Sequence, residues 1–224
     1  MKYYLYISDS KIEMLYNQIA TSTENSREAS IGFDLKVLKG EIKQGRGVPE
    51  NSVTRLNEVV KALRDSDAVG SIDAPKKYIG GNLRMTWSTY GGIGDESPIT
   101  FWSYSAPGIA MALAGSKYNL LGEQRPGTAH SHSLTPPMVQ WFLDNLQDPV
   151  PETTKGLAEW DEGELDEYDI ANGTWLAATQ TKGIKESTEF VARVLHDSKW
   201  PQGFRGSDAK RILLASPLYV ASVD

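Results

Sequence analysis

The sequence predicts an α+β fold: a largely antiparallel sheet from the N-terminal half and the C-terminal strand, packed against helices. Three observations predict it. Strand-like runs follow one another between residues 30 and 115, helix-like runs dominate 135–196, and Arg211–Val220 returns as a strand. Consecutive strands joined by glycine-rich turns pair as hairpins, whereas strict strand–helix alternation would signal a parallel sheet. The 224 residues, 40% hydrophobic and 23% charged, suffice for a buried core. No linker divides them, so the expectation is one domain, 1–224, with an acidic insertion at about 150–169.

Each element has its own signature. Tyr3–Ile7 is uniformly apolar or aromatic, as in a strand buried on both faces. Ser8-Asp9-Ser10 then turns the chain into a helix whose buried positions are Ile12, Leu15, Tyr16 and Ile19. Ser10 and Glu13 form a capping box, in which each side chain satisfies a backbone donor at the helix start. Thr21–Ser30 is a polar loop, and Ile31–Lys43 alternates as a half-buried strand bent at Gly40. Val53, Leu56, Val59, Val60 and Leu63 line one face of a helix ending near Asp65. Ala68–Ile72, Tyr78–Tyr90 and Pro98–Ser105 read as strands, with Gly91-Gly92-Ile93-Gly94 as a hairpin loop. Ile109–Leu113 is a short buried strand closed by Gly115-Ser116. Thr135 caps a helix opened by Pro136-Pro137, which buries Met138, Val139, Trp141, Phe142 and Leu146. Ile170–Gln180 and Ile184–His196 read as two more helices, the second packing through Phe190, Val191, Val194 and Leu195. In the last strand Pro217 has no ladder donor, which demands an edge or a bulge there.

Composition narrows the chemistry. The absence of cysteine excludes disulfides, thiolate zinc sites, iron–sulfur clusters and a cysteine nucleophile, and it fits a reducing, cytoplasmic compartment. The opening apolar run turns polar at Ser8, too early for a secretory segment. No apolar run approaches the ~20 residues of a membrane helix, so no membrane is expected. The net charge of −6 is concentrated: Glu152–Asp169 holds eight carboxylates and one lysine. That segment reads as a solvated loop or as a docking surface for a basic partner. It lacks the alternating acids, central glycine and distal glutamate of a calcium loop. No cluster of Lys and Arg stands ready to displace counterions, so nucleic acid is not an expected ligand. The glycine clusters match neither a phosphate loop nor a dinucleotide fingerprint.

Two places concentrate polar side chains. His130 and His132 stand two apart, which on an extended chain puts both imidazoles on one face. With Ser131, Ser133 and Thr135 they form a candidate ligand-binding segment, although its hydroxyls also serve as helix caps. The alternative is a divalent metal held by His130 and His132 in a metal-assisted hydrolase. A carboxylate such as Asp9, Asp34, Asp73 or Asp95 would then arrive from elsewhere. Ser131 is a poor nucleophile here, since adjacent residues of an extended chain point to opposite faces. Ser8 and Asp9, where strand meets helix, are the second candidate ligand-binding place, though capping accounts for them as well. His196 ends a helix and complements its dipole. No complete catalytic set appears. The expected function is therefore a non-catalytic sensor or adaptor, without a cofactor, that binds a partner protein or a small ligand.

Stretches along the whole chain carry a family likeness. They are Lys2–Asp9 with Lys11–Tyr16, Tyr78-Ile79-Gly80-Gly81, Leu113-Ala114-Gly115-Ser116, Ser131-His132-Ser133 and Leu213–Ala221. Together they resemble an uncharacterised bacterial protein family. The resemblance reaches both ends, which implies one compact unit. It also implies a link to bacterial conflict or antiphage defence loci, and it supplies no catalytic residue.

Overall fold

The structure, a computed structural model, describes residues 2–25, 50–90, 99–121, 167–199 and 211–223. In chain order these form β1 (Lys2–Ile7), α1 (Asp9–Asn25), α2 (Glu50–Asp65), β2 (Val69–Gly70), β3 (Tyr78–Tyr90), β4 (Ile99–Ala106) and β5 (Ile109–Ser116). A 3-10 turn at Lys117–Asn119 follows, then α3 (Glu167–Gln180), β6 (Ile184–Lys199) and β7 (Arg211–Val223). The expected strand at 31–43 and helix from Thr135 lie outside the described residues.

The architecture corrects the α+β expectation. β3 pairs with β4, β4 with β5, β5 with β7, β7 with β6, and β6 again with β3. Five strands thus close into a β-barrel, and the described residues hold only three helices. All barrel pairings are antiparallel except β5 with β7. The correction turns on one segment. Ile184–Lys199 is a sixteen-residue strand, not a helix. Its apolar positions serve either period: Phe190 and Val194 are four apart, yet Phe190, Ala192 and Val194 also alternate, and these three pack into the barrel. With this strand in place β3 and β7 acquire a common neighbour, and the sheet closes.

Closure explains the burial pattern. Met85, Trp102, Met111, Leu113, Phe190, Leu213 and Val220 fill the barrel with Tyr6. Outside, α1 and α2 cover Tyr78, Val191, Leu218, Tyr219 and Ala221 with Ile12, Leu15, Leu56, Val59 and Leu63. α3 covers Ala110 and Ile212 through Ala171, Trp175 and Ala178. β5 is therefore buried along its whole length: Ile109, Met111 and Leu113 face the barrel, and Ala110 faces α3. It also runs on through Gly115-Ser116, where the sequence suggested its end.

Pro217 sits in a bulge, one of its two expected settings. Val191 opposes Tyr219 while Ala192 opposes Pro217, so Leu218 is the extra residue. The inward set switches there from Leu213 and Ala215 to Val220. The other edge of β7 changes partner at the same place, from β5 up to Ala215 to β1 from Tyr219. Pro107-Gly108 makes the β4–β5 turn, with Gly108 at φ +87°, a conformation that favours glycine.

β1 is not buried on both faces: Ile7 and Tyr6 are covered while Tyr3 is 67% exposed. α1 begins at Asp9, and the Ile12 N–H donates to the Ser8 carbonyl at 3.0 Å. Ser8, not Ser10, is thus the cap. Gly115 is required by Tyr6: a Cβ there would stand 2.3 Å from the phenol oxygen and 2.6 Å from the carbon bearing it. Tyr6 is fully buried and its hydroxyl accepts from Asn119 Nδ2 at 3.0 Å, so the ring has no free direction. Gly115→Ala is expected to cost about 1–3 kcal/mol in chemical denaturation, and an unchanged midpoint would refute this packing.

Candidate functional site

The outer face of β1, β7 and β6 meets α2 in an open cleft of about 240 Å³. Lys2 and Tyr4 share one face of β1, being two residues apart. Tyr4 opposes Ala221 of β7, and Ala221 opposes Glu189 of β6. Tyr219 lies two residues before Ala221, so strand periodicity brings Lys2, Tyr4, Tyr219 and Glu189 together. Helical periodicity supplies the opposite wall, where Asn57, Lys61 and Arg64 recur at three- and four-residue spacing beside Val60 and Asp65. α2 lies this way because Leu56, Val59, Val60 and Leu63 bury against the barrel, turning the polar face outward.

Glu189 anchors this arrangement. Its Oε1 accepts from Lys2 Nζ at 2.6 Å and from the Tyr219 hydroxyl at 2.6 Å, and Arg64 stands 4.0 Å away. Burial pushes the Glu189 carboxyl upward. The hydrogen bonds from Lys2 and Tyr219, with the charges of Lys2 and Arg64, outweigh that and hold it below the usual carboxylate range. Burial and the Glu189 acceptor together push the Tyr219 hydroxyl far up, so it remains a donor. Lys2 also lies 5.6 Å above the Tyr219 ring, and Tyr4 meets that ring edge-to-face at 5.7 Å. Lys61 pairs with Asp65 at 3.2 Å, both exposed and hence weakly coupled. The two carboxylates are therefore engaged, while the exposed heads of Lys61 and Arg64 still face the cleft. What the arrangement offers is hydrogen-bond donors and positive charge beside two aromatic rings.

Ser8 and Asp9 lie elsewhere, at the junction of β1 and α1. Ser8 is buried, donates its N–H to the Leu218 carbonyl at 2.9 Å, and hydrogen-bonds through its side chain to Tyr6. Asp9 is half-buried. Burial raises its carboxyl and Glu13 adds to this, against a hydrogen bond from Ser52 of α2. The pair thus ties β1 and α1 to β7 and α2. His130, Ser131, His132, Ser133 and Thr135, and with them the alternative metal pair, lie outside the described residues, as does nearly all of the acidic segment. His196 sits within β6, not at a helix end. Burial lowers its imidazole despite the nearby Glu167 and Asp197, and its Nε2 lies 2.9 Å from Ser198 Oγ.

Sequence reasoning did not find the cleft. Its members come from residues 2 and 4, residues 57–65 and residue 219, and only the β1–β7 pairing and the packing of α2 bring them together. One signal was available: Lys61 and Arg64 share a helix face with Asn57, directly beside the apolar stripe.

No described helix is long and apolar enough to cross a membrane. No curated protein and no solved structure matches the chain. The model of a family of unknown function, DUF7019, matches residues 2–224, nearly the whole length, and the chain belongs to that family.

Proposed function

We propose that the protein is a sensor or adaptor that binds, in the cleft between α2 and the β1–β7 edge, an anionic group of a partner protein or small ligand. The observation that carries this reading is the inventory of the cleft. Lys2, Lys61 and Arg64 surround two tyrosines and outnumber the carboxylates Glu189 and Asp65, which pair with Lys2 and Lys61. Glu189 and Tyr219 fix Lys2 in place, so one cation is pre-positioned and little ordering is left for binding. The others are exposed at the rim, where they steer an anion and discriminate against cations. We extend the reading to the cytoplasm on the cysteine-free composition, and to bacterial defence on the likeness read in the sequence.

The experiment uses fluorescein-labelled hexaglutamate and pyrophosphate as probes, followed by polarisation and competition. Saturable binding is expected to weaken about tenfold or more in Lys61→Glu/Arg64→Glu, since reversing rim charges replaces attraction with repulsion. It should also weaken as salt shortens the Debye length below about 8 Å. Equal affinity in the charge-reversed protein would overturn the assignment.

A further inference from the structure

The barrel wall carries a second cationic place, independent of the α2 cleft. α1 and α2 cover Leu218, Tyr219 and Val191, and α3 covers Ile212 and Ala110. Between these covers Ser216 of β7 opposes Arg193 of β6, which in turn opposes Tyr78 of β3. Lys11 reaches this row from the first turn of α1. Its Nζ donates to Ser216 Oγ and, at 3.3 Å, to the Pro217 carbonyl. Ser216 Oγ donates in turn to the Ala114 carbonyl at 3.2 Å.

Both oxygens that hold Lys11 are neutral. Among the described residues no carboxylate pairs with Lys11 or with Arg193. The positive end of the α1 dipole adds to the imbalance. Burial, reinforced by Arg193, lowers the ammonium to about 8. A buried ammonium is stable when an opposite charge balances it, and here the chain's described residues supply only dipoles. We propose that Lys11, Arg193 and Ser216 form an oxyanion site that takes one carboxylate or phosphate group between the two helical covers. Lys11 and Arg193 supply the charge and the N–H donors, and Ser216, whose own proton goes to the Ala114 carbonyl, accepts from Lys11 and holds its ammonium in place. Arg193 faces Lys11 from β6, Ser216 from β7, and Asp9 and Glu13 neighbour it on α1, where Ser52 engages Asp9. Tyr78 of β3 faces Arg193. Because a bound anion favours the charged lysine, binding tightens as pH falls through about 8.

The test follows the Lys11 ammonium by nitrogen-detected NMR in the full chain, with inorganic phosphate and acetate as separate probes. Without probe the titration midpoint is expected near 8. Either probe is expected to move it upward by about one pH unit or more. The more effective one identifies whether the ligand's group is a phosphate or a carboxylate. Arg193→Gln should raise the probe concentration required about tenfold, and Arg193→Lys should restore much of the response, which separates lost charge from lost folding. Lys61→Glu/Arg64→Glu should leave the response intact. A midpoint unmoved by about 50 mM of both probes would overturn the site. So would a response unchanged in Arg193→Gln, or one lost in the cleft variant, since the latter assigns the anion to the α2 cleft.

Discussion

Trp102→Ala is expected to cost about 3–5 kcal/mol, the largest loss from any single truncation here. Trp102 is fully buried on the inner face of β4. It pairs with Trp87 across β3 and β4, the rings stacked at 6.2 Å, and meets Tyr6 edge-to-face at 5.3 Å. The barrel wall is a closed hydrogen-bonded ring, so it contracts poorly around a lost side chain. Alanine would therefore leave a cavity bordered by Tyr6 and Trp87. The indole Nε1 finds no hydrogen-bond partner among the described residues, which already lowers the net worth of this side chain. Trp102→Phe keeps most of the aromatic contact and removes the orphan donor, so it should cost less, about 1–2 kcal/mol. Urea unfolding monitored by circular dichroism distinguishes the two. A Phe variant as unstable as the Ala variant would mean that the indole is not the central stave-filling group.

These contacts also mark what could be read in the sequence. β1, α1, α2, β3, β4, β5, α3 and β7 each carry a local pattern strong enough to be recognised, and Pro217 announced its bulge. Ile184–Lys199 did not, because a sixteen-residue strand with a bulge at Val194/His196 breaks its own alternation. Its middle satisfies a helical spacing as well. This one ambiguity decided the fold class, since β6 is the stave that joins β3 to β7. Closure is a property of pairing between distant segments, and no single segment encodes it. The functional places follow the same division. Ser8 and Asp9 were visible as a strand–helix junction, whereas Lys2, Arg64 and Tyr219 carry no common mark until β1 pairs with β7 and α2 packs over them. Lys11 carried a local hint of its own: a lysine in the first turn of a helix faces a dipole of the wrong sign. Such a mismatch is the kind of conflict that accompanies a functional position.

Lys11→Met is expected to stabilise the protein at pH 7 in buffer free of phosphate and carboxylates, by about 2 kcal/mol. Unfolding returns this ammonium to its ordinary value of 10.5, whereas the folded chain holds it at about 8. Below pH 8 folding therefore forces a proton to stay where it is disfavoured, and the wild type bears the full penalty. Between pH 8 and 10.5 the unfolded chain binds more protons than the folded one, so wild-type stability from this group rises with pH. Methionine fills the channel of the lysine stem without charge, and Ser216 keeps its bond to the Ala114 carbonyl. The advantage of the variant should thus be largest near neutrality and shrink as pH approaches 10.5. Tyr6 acts in the opposite sense above pH 10. Burial raises its hydroxyl to about 12, and the stability it contributes as a neutral phenol is lost as pH climbs toward that value. Both proteins carry Tyr6, so the difference between their unfolding free energies isolates Lys11. A difference that stays constant from pH 7 to 10, or a variant less stable than wild type at pH 7, would show that the ammonium is already balanced within the chain. In that case the oxyanion site loses its physical basis. A difference that narrows with pH, and that also shrinks below pH 8 when phosphate stabilises only the wild type, would make the unmet charge of Lys11 the reason the site exists.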